Sequence, residues 1–552
     1  MIICGLKLTH DGGLAVLEDG RLVAVAELEK RDNNPRHAPL DRAETITEIL
    51  AELGYGADDV DVFAVDGWHA GELTLSLGGT DVPIAVAPYH ERTAAQRADQ
   101  AYEFDGLPVG GRPRRYVSYH HATDHLFSAY CASPFAAAGQ PALVLVWDGG
   151  MLPLLYEVRP GPVRVISHGP LLPVYGNAFA EFCGQFAEFA DEFATEQRRW
   201  GRTRPSAVAG KAMAYAGLGT DVPELHGPIG ALLDTVAPMA IDGGARVARR
   251  LLSERDRLAP GLSDADLIAT FQDYLGACLV EAFKELVPGL PADAARNLCL
   301  AGGCALNIKW NSALRRSGLF EQVWVPPFPN DAGSALGAAM SHHARHAATP
   351  EVRWNVYSGA EATVGALPPG WTCAPCSPAG LGDLLAETGE PVIVMHGRAE
   401  LGPRALGHRS ILAPATDAAM KDRLNRMKGR ESYRPVAPIC LEERAAEVFT
   451  PGGTDPYMLF EHRLRPGWAA RVPAVVHLDG TARLQTISAT AEPVLTEVLR
   501  RYAASTGVPV LANTSANRPG RGFFPDVAAA AAWGGAEHIW HDGRLYRAPG
   551  AR

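Results

Sequence analysis

Residues 10–27 read HDGGLAVLEDGRLVAVAE and residues 147–167 read WDGGMLPLLYEVRPGPVRVIS, and this repeated pattern decides the fold. Each copy opens with Asp-Gly-Gly behind an apolar run and continues into further strand-like segments. Superposing the copies places Asp11 on Asp148. Asp-Gly-Gly is also a common turn, but strands flank both copies in the same order, which favours an internal repeat of a three-strand meander. The sequence therefore predicts two similar lobes that face one another.

Two lobes that each carry such a hairpin resemble the superfamily of actin, hexokinase and the heat-shock chaperone ATPases. The resemblance implies a nucleotide held between the lobes, with small residues of the hairpins facing its phosphates. We therefore expect Gly149 and Gly150 to contact a nucleotide. The first hairpin leaves His10 and Asp11 at its rim as candidate catalytic groups.

Further glycines favour the same kind of site. Gly302 and Gly303 follow the predicted strand 297–301 and lead to a helix through Asn307, and glycines at a strand-to-helix turn suit a phosphate or ribose. Lys211 directly follows Gly210 and has the charge and reach to bind a phosphate. All four residues are candidate nucleotide contacts.

Length and composition bound the class of protein. A chain of 552 residues suggests roughly two to four domains, and 47% apolar with 20% charged residues is typical of globular proteins. No apolar stretch approaches the roughly 20 residues that a membrane helix needs, and the chain begins as a strand. We therefore expect a soluble, cytoplasmic protein without a membrane partner. A net charge of -11 opposes long-range attraction to nucleic acid.

A histidine pair marks a candidate metal site. His121 and His125 stand four apart in a segment that suits a helix, so both imidazoles can point from one face. Asp148 ends the buried apolar run 142–147, and Asp331 stands at a predicted helix start. Histidines four apart also occur by chance, and Asp331 is equally suited to cap its helix. Imidazole with carboxylate suits Fe(II), Mn(II), Co(II) or Zn(II).

The C-terminal part of the chain carries a local excess of positive charge. Proline and glycine punctuate the chain between His343 and Gly370, which divides it into residues 1–345, a linker over 346–369 and a second domain over 370–552. Between Arg398 and Arg434 there are nine basic residues and four acidic ones. Guanidinium groups with amide and hydroxyl donors suit polyphosphate or carbamoyl-type anions. The candidate anion ligands are Arg404, Lys428, Arg430, Arg434, Arg483, Asn513 and Ser515.

Taken together, the motifs resemble those of the NodU/CmcH-type O-carbamoyltransferases, which modify antibiotics and nodulation factors. They are HHxxxH (120–125), WDGG (147–150), GGxALN (302–307), NDxGxALGAA (330–339), GRxExGPRALGxRS (397–410), HxDGTARxQ (477–485) and NTSxN (513–517). The likeness spans nearly the whole chain. It implies an α/β protein with a two-lobed actin-like N-terminal domain, akin to the tRNA threonylcarbamoyl transferases, and a YrdC-like C-terminal domain.

The resemblance also implies a chemistry. In the C-terminal domain, ATP with Mg(II) and carbamoyl phosphate would give carbamoyl adenylate and pyrophosphate. In the N-terminal domain a metal, which the resemblance suggests is iron, would be held by His121, His125, Asp148 and Asp331 and act as a Lewis acid. His10 would take the proton from an acceptor hydroxyl. The acceptor would be a small natural product, and a homodimer is an open possibility.

Two departures and two alternatives remain. The family pattern after the third strand is matched only loosely by Glu27, Arg31 and His37, and Arg521 replaces an acidic residue in the last motif, which leaves the roles of Arg518 and Arg521 open. A fused tRNA threonylcarbamoyladenosine-type transferase is disfavoured by the net acidity. A non-catalytic nucleotide-binding sensor of the actin-like fold is disfavoured by the presence of His10, both metal histidines and the arginine cluster.

Overall fold

The computed structural model describes residues 1–69, 71–91, 93, 96–200, 206–236 and 241–551. The chain divides into two compact units, of which the first combines 1–128 with 331–552 and the second comprises 129–330. Among the described residues, no helix combines the length and apolar character that crossing a bilayer requires.

The first unit opens with a six-stranded sheet, called the N-terminal sheet. Its strands, in order across the sheet, are Arg21–Glu27, Gly13–Glu18, Ile2–Lys7, Val62–Asp66, Arg112–Tyr119 and Tyr102–Val109. The first three form an antiparallel meander, and the third and fourth run parallel. Alternating apolar residues of these strands build one core with the helix Ala43–Glu52.

The second unit contains a sheet with the same order, called the central sheet. Its strands are Arg164–Pro170, Leu154–Arg159, Ala142–Val146, Asn297–Ala301 and Gln322–Trp324. Three antiparallel strands are again followed by two that run parallel to the first. The internal repeat is confirmed, and with it the actin-like fold of the two N-terminal lobes.

The first unit also contains an eight-stranded mixed sheet, called the C-terminal sheet, which confirms the predicted α/β C-terminal part. In order its strands are Thr372–Pro375, Arg544–Arg547, His538–His541, Val392–Met395, Arg409–Pro414, Val510–Ser515, Ala437–Leu441 and Gln485–Ile487. The helices Pro378–Thr388 and Pro493–Thr506 pack on it through leucine and valine side chains. Smaller sheets are formed by Phe449–Thr450, His462–Leu464 and Thr481–Ala482, and by the hairpin Glu72–Leu77 and Thr80–Ala85.

Helices connect these strands. Those of the first unit are Leu28–Arg31, Ala43–Glu52, Ser334–His346, Pro378–Thr388, Ala419–Met427, Glu442–Val448, Trp468–Arg471, Pro493–Thr506 and Val527–Trp533. His121–Cys131 begins in the first unit and ends in the second. Those of the second unit are Pro134–Ala137, Ala178–Cys183, Ala190–Trp200, Ser206–Tyr215, His226–Val236, Gly243–Ser253, Arg255–Leu258, Asp264–Leu286, Ala292–Ala295 and Ile308–Arg316. Short 3₁₀ turns are Ala216–Leu218, Pro223–Leu225, Val287–Gly289, Gly303–Leu306, Asp331–Gly333 and Pro473–Val475.

The segment predicted as a linker is hydrogen-bonded to the N-terminal sheet and to the loop that follows the strand Val392–Met395. The backbone N–H of Leu22 donates to the carbonyl of Arg353, and that of Val25 donates to the carbonyl of Ser358, both at 2.9 Å. Further along, the N–H of Ala362 donates to Gly397 at 2.9 Å. The segment therefore extends the edge of the N-terminal sheet towards the start of the motif 397–410, called the arginine-rich motif.

Gly5 lets the helix Ser334–His346 approach the strand Ile2–Lys7 closely. A Cβ atom on Gly5 would lie 1.9 Å from the carbonyl oxygen of Ala335 and 2.9 Å from the backbone nitrogen of Ala339. Because both obstacles are backbone atoms, a side chain here would push the helix away. This contact fixes the helix start, and Asp331 just before it, beside the end of the first strand.

We expect Gly5→Ala to lower the free energy of unfolding by about 1 to 3 kcal/mol, because the added methyl group meets helix backbone. Urea titration followed by circular dichroism measures the change. Gly453→Ala is the matched control, since an added Cβ there meets nothing within 4 Å. Equal stability of the two variants would contradict this account of Gly5.

Candidate functional site

Three predicted metal ligands meet in the first unit. His121 Nε2 and His125 Nε2 lie 3.1 Å apart, and Asp331 Oδ1 lies 3.5 and 3.4 Å from them. Helical spacing of four residues places both rings on one side of the helix His121–Cys131. The helix after Asp331 begins at Ser334 with Gly333 as its cap residue, so the alternative that Asp331 caps this helix is wrong. Its carboxylate is instead turned to the histidines.

Two further residues, Lys7 and Asp66, contact these predicted ligands and each other. Asp66 Oδ1 lies 2.9 Å from His121 Nδ1, and Asp66 Oδ2 lies 2.6 Å from Lys7 Nζ. Lys7 Nζ also lies 3.1 Å from Asp331 Oδ2. Burial favours the neutral acid, but His121 and Lys7 together lower the pKa of Asp66 to about 2. Burial of Asp331 likewise favours its neutral acid, but Lys7 and His121 hold its pKa well below the usual range, so both carboxyl groups are ionised.

The donor set fits a divalent cation. A carboxylate only accepts hydrogen bonds, so Asp66 draws the imidazole proton of His121 to Nδ1 and leaves the lone pair on Nε2. That lone pair faces His125 Nε2 and a carboxylate oxygen of Asp331, and all three side chains are buried. A hydrogen bond from carboxylate to the second ring nitrogen is the usual support of a histidine metal ligand. His121, His125 and Asp331 are thus suited to hold the predicted metal.

The fourth predicted ligand, Asp148, belongs to the second unit, where it follows the strand Ala142–Val146. Its Oδ1 accepts a hydrogen bond of 2.8 Å from the backbone N–H of Gly303. Gly302 has a φ of 85°, and a Cβ there would lie 2.4 Å from the backbone of Trp147. The glycine turn and the Asp148 turn meet because their strands are parallel neighbours that end at the same sheet edge. Its part in metal binding stays a prediction.

The other nucleotide candidates of the second unit have local partners. Asn307 caps the helix Ile308–Arg316, where its side chain accepts from the N–H of Lys309 at 3.0 Å. Lys211 lies inside the helix Ser206–Tyr215, and its Nζ is 2.8 Å from Glu192 Oε2. Gly149 and Gly150 lie in the turn after Asp148, where the carbonyl of Gly149 accepts from Asn177 at 3.1 Å. The structure places Gly302 and Gly303 beside Asp148, whereas Lys211 lies within a separate helix.

The candidate catalytic pair, His10 and Asp11, has a third member. His10 Nδ1 lies 2.7 Å from Asp11 Oδ2, and His10 Nε2 lies 3.1 Å from Asp331 Oδ2. His37 Nδ1 lies 2.9 Å from Asp11 Oδ1. Burial disfavours the imidazolium of His37, but the Asp11 carboxylate outweighs this and raises its pKa to about 9. Asp11 is thus shared by two histidines and is linked through His10 to Asp331, a predicted metal ligand.

In the C-terminal part of the first unit, half-buried cations gather with little opposing charge apart from Glu431, whose Oε2 lies 3.7 Å from Arg434 Nη1. Burial lowers the pKa of Arg404 to about 10 and that of Arg430 to about 9, and in both cases neighbouring arginines lower it further. Burial and the charges of Arg404 and Arg434 hold the pKa of Arg483 well below its usual range. Among the described residues, the buried Nε atoms of Arg404 and Arg483 have no hydrogen-bond partner. Buried charges that repel one another are unfavourable until an anion joins them.

Lys428 lies beside this cation cluster, but its ammonium hydrogens are donated to the loop that contains Ser515 and Asn517. Its Nζ donates to the carbonyls of Ser515 at 2.5 Å and Asn517 at 2.7 Å and also to the side chain of Asn517. An ammonium has three hydrogens, so these bonds use them all. Ser515 and Lys428 therefore position the loop beside the cluster. Asn513 donates to Ala405 and Gln485, while its buried Oδ1 has no partner among the described residues.

The remaining basic residues of the arginine-rich motif are structural. Arg398 donates to the carbonyls of Gly359, Val23 and Ser358, and Arg409 donates to four other carbonyl groups. Glu400 Oε1 accepts from the N–H groups of Leu406, His408 and Arg409. Side chains of the motif thus bind backbone groups and fix its shape. The count of basic residues therefore overestimated how many of them are available to bind an anion.

Sequence reasoning missed Lys7 and Asp66, which contact the predicted metal ligands His121 and Asp331. Both are the last residues of apolar strands that pair in parallel, Ile2–Lys7 and Val62–Asp66. A charged residue that ends an apolar strand was the available signal, because the carboxyl ends of parallel strands share one sheet edge. Asp148, which follows the apolar run 142–147, carries the same signal.

A family model described as "Carbamoyltransferase N-terminus" matches residues 2–340, and one described as "Carbamoyltransferase C-terminus" matches residues 383–537. Nodulation protein U of Sinorhizobium fredii (strain NBRC 101917 / NGR234) is 45% identical over 571 residues, covering 100% of both chains. The 3'-hydroxymethylcephem-O-carbamoyltransferase of Streptomyces clavuligerus is 34% identical over 538 residues, covering 95% of this chain and 94% of that protein. Among solved structures, full-length HypF in its phosphate- and nucleotide-bound form is 11% identical with a TM-score of 0.32, covering 63% of this chain and 56% of HypF.

We expect His125→Ala to abolish stoichiometric metal binding, because it removes one of three converging ligands. Elemental analysis of the purified protein and titration with Co(II) followed by visible absorption measure this. His120→Ala is the matched control, since that buried ring faces Tyr102 and Ala98 instead. A full equivalent of metal in His125→Ala would show that the site lies elsewhere.

The raised pKa of His37 predicts a pH-dependent contribution to stability. The imidazolium pairs with Asp11, so the contribution is fully present below the unfolded pKa near 6.5 and is lost as pH rises through about 9. Urea unfolding of wild type and His37→Gln at pH 6 and pH 9.5 should show a stability difference on the order of 1 to 3 kcal/mol at the lower pH. The difference should vanish at the higher pH. A difference that grows with pH would contradict the ion pair.

Proposed function

Since the chain belongs to the carbamoyltransferase family, we propose that it is an ATP-dependent O-carbamoyltransferase that makes carbamoyl adenylate and then carbamoylates a hydroxyl group of a small natural product. Membership of this family is the basis for proposing that the transferred group is a carbamoyl group. The observation that carries the ATP-dependent step is the cation cluster of the C-terminal part, which lacks enough opposing charge of its own.

The first step forms the adenylate. Water cleaves carbamoyl phosphate into carbamate and phosphate; a carbamate oxygen then attacks the α-phosphorus of ATP, the bond to the β-phosphate oxygen breaks, and pyrophosphate leaves. Negative charge builds up on the phosphate oxygens, so Arg404, Arg434 and Arg483 would stabilise it. Their mutual repulsion is relieved by the same anion, which makes a filled cluster more stable than an empty one.

The second step transfers the carbamoyl group. The acceptor oxygen attacks the carbamoyl carbon, the bond from that carbon to the phosphate oxygen breaks, AMP leaves, and the hydroxyl proton passes to His10 Nε2. Asp11, 2.7 Å from Nδ1, keeps the proton of the neutral ring on that nitrogen so that Nε2 can act as the base. Asp331 stands 3.1 Å from Nε2 and would stabilise the imidazolium that forms. When bound at His121, His125 and Asp331, with Asp148 as the predicted fourth ligand, a divalent metal such as Fe(II) would supply Lewis-acid polarisation.

The proposed acceptor of the carbamoyl group rests on the name of one relative and on the net charge of the chain. The name 3'-hydroxymethylcephem-O-carbamoyltransferase describes transfer to a hydroxymethyl group of a small molecule. The net charge of -11 disfavours a nucleic-acid acceptor, because phosphate contacts dominate affinity for nucleic acids. We therefore propose an alcohol of an antibiotic or similar secondary metabolite as the acceptor.

The two steps should fail separately. Arg434→Ala should reduce ATP–pyrophosphate exchange about tenfold to a hundredfold, because a charge-assisted contact to a buried anion contributes about 1.5 to 3 kcal/mol. His10→Ala should leave the exchange intact and slow carbamate-ester formation about a hundredfold to ten-thousandfold. Exchange of labelled pyrophosphate with carbamoyl phosphate present, and mass spectrometry of metabolites that gain one carbamoyl group, measure the two activities.

Arg500→Ala is the control, since that exposed side chain pairs with Glu443 away from the cation cluster. No exchange in the wild type would remove the adenylate from the proposal. Equal loss of both activities in folded His10→Ala would overturn the assignment of His10 to transfer. Carbamoylation confined to tRNA or to an amine would contradict the proposed acceptor class.

A further inference from the structure

The segment 33–38, between the first meander and the helix Ala43–Glu52, is bound to the loop 517–522 of the C-terminal part. The N–H of Arg36 donates to the carbonyl of Gly520 at 2.9 Å, and Pro35 pairs antiparallel with Arg521. Asn33 donates through Nδ2 to Gly522 at 2.7 Å. The segment is thus fastened at several points along its length, all of them within the first unit.

The loop that receives the segment is the one that holds Lys428. Asn517 accepts from Lys428 Nζ at its backbone carbonyl and donates from Nδ2 to the carbonyl of Arg521 at 2.7 Å. Only a few bonds therefore separate the backbone of Arg36 from the cation cluster. Consistent with this placement, the charge of Arg36 adds to burial in lowering the pKa of Arg404, Lys428 and Arg430.

Arg36 itself has no compensating partner. Its side chain is exposed, and within the described part of the chain its guanidinium has neither an ion pair nor a hydrogen bond. By contrast, the nearby Arg31 pairs with Glu52 and Glu48, and Arg42 lies 3.7 Å from Glu44. An exposed guanidinium is largely screened by water, but next to other cations it still adds repulsion, which a bound anion would relieve.

We propose that Arg36 is a phosphate-binding residue of the adenylate-forming site, supplied to the C-terminal part by the N-terminal segment. The inference rests on the proposed function, since it assumes that the cation cluster binds the phosphates of ATP and carbamoyl phosphate. A planar guanidinium can bind a phosphate through two hydrogen bonds. Arg36 would close the site over its phosphate ligand from the side of the loop 517–522.

The test is calorimetric titration with inorganic tripolyphosphate, which is a phosphate anion without a nucleoside. Binding should weaken about tenfold or more in Arg36→Ala and Arg434→Ala and stay unchanged in Arg42→Ala, because loss of a charge-assisted bond is at least a tenfold effect. Arg36→Lys should recover part of the affinity. The fold should survive, since the segment is held through the backbone N–H of residue 36. In ATP–pyrophosphate exchange the KM for ATP should rise in Arg36→Ala, whereas transfer from synthetic carbamoyl adenylate proceeds at a normal kcat.

The titrations distinguish failure of the proposed function from failure of the proposed role of Arg36. Wild-type affinity in Arg434→Ala would mean that the cation cluster is not the anion site, which overturns the proposed function and this inference together. Weakened binding in Arg434→Ala with wild-type binding in Arg36→Ala would overturn the role of Arg36 alone. Weakening in Arg36→Ala that lysine leaves unrepaired, with kcat for transfer reduced as well, would identify a structural role and also overturn the proposal.

Discussion

The buried ammonium of Lys7 is the charge on which the N-terminal site depends. It lies 2.6 Å from Asp66 and 3.1 Å from Asp331, and it is fully excluded from solvent. Two buried carboxylates beside histidines would otherwise take up protons, since a charge buried without a partner is strongly unfavourable. With the lysine in place they stay ionised, so one orients His121 and the other is available as a ligand. The ring of Trp68 covers the ammonium at 4.5 Å.

Much of the N-terminal fold could be predicted, because strand alternation and a repeated turn are local signals. The predicted three-strand meander is present in both N-terminal lobes, and the shared sheet order followed from the repeat. The contact between His37 and Asp11 could not be predicted in this way, because His37 lies in an irregular loop 26 positions further along the chain. Likewise, Lys211 follows a glycine as expected, but that glycine lies inside a helix and does not form a phosphate-binding turn.

Charge counting along the C-terminal part located the cation cluster but could not tell which of its basic residues belong to it. Composition cannot distinguish a guanidinium that binds carbonyls from one that repels its neighbours, since the difference lies in the fold of the loop. Arg398 and Arg409 are satisfied by backbone, so they hold the chain in the shape that brings Arg404 to the cluster. A motif of this kind combines scaffold and ligand in one short stretch. Substitutions within it will consequently differ widely in effect.

The pairing of the segment 33–38 with the loop 517–522 has a consequence for protein engineering. His37 contacts Asp11 in the N-terminal site, while its neighbour Arg36 is bound through its backbone to the C-terminal part. Gly522 also leaves no room for a side chain, because its Cβ would lie 1.8 Å from the carbonyl oxygen of Glu29. A chimera that joins the N-terminal part of one relative to the C-terminal part of another would therefore mismatch the segment 33–38 and the loop 517–522, wherever the two parts are joined. When the C-terminal part is replaced by that of a relative, residues 28–38 should be taken from the same relative, because they contact that part. The unit to be exchanged is therefore not one continuous segment of the chain.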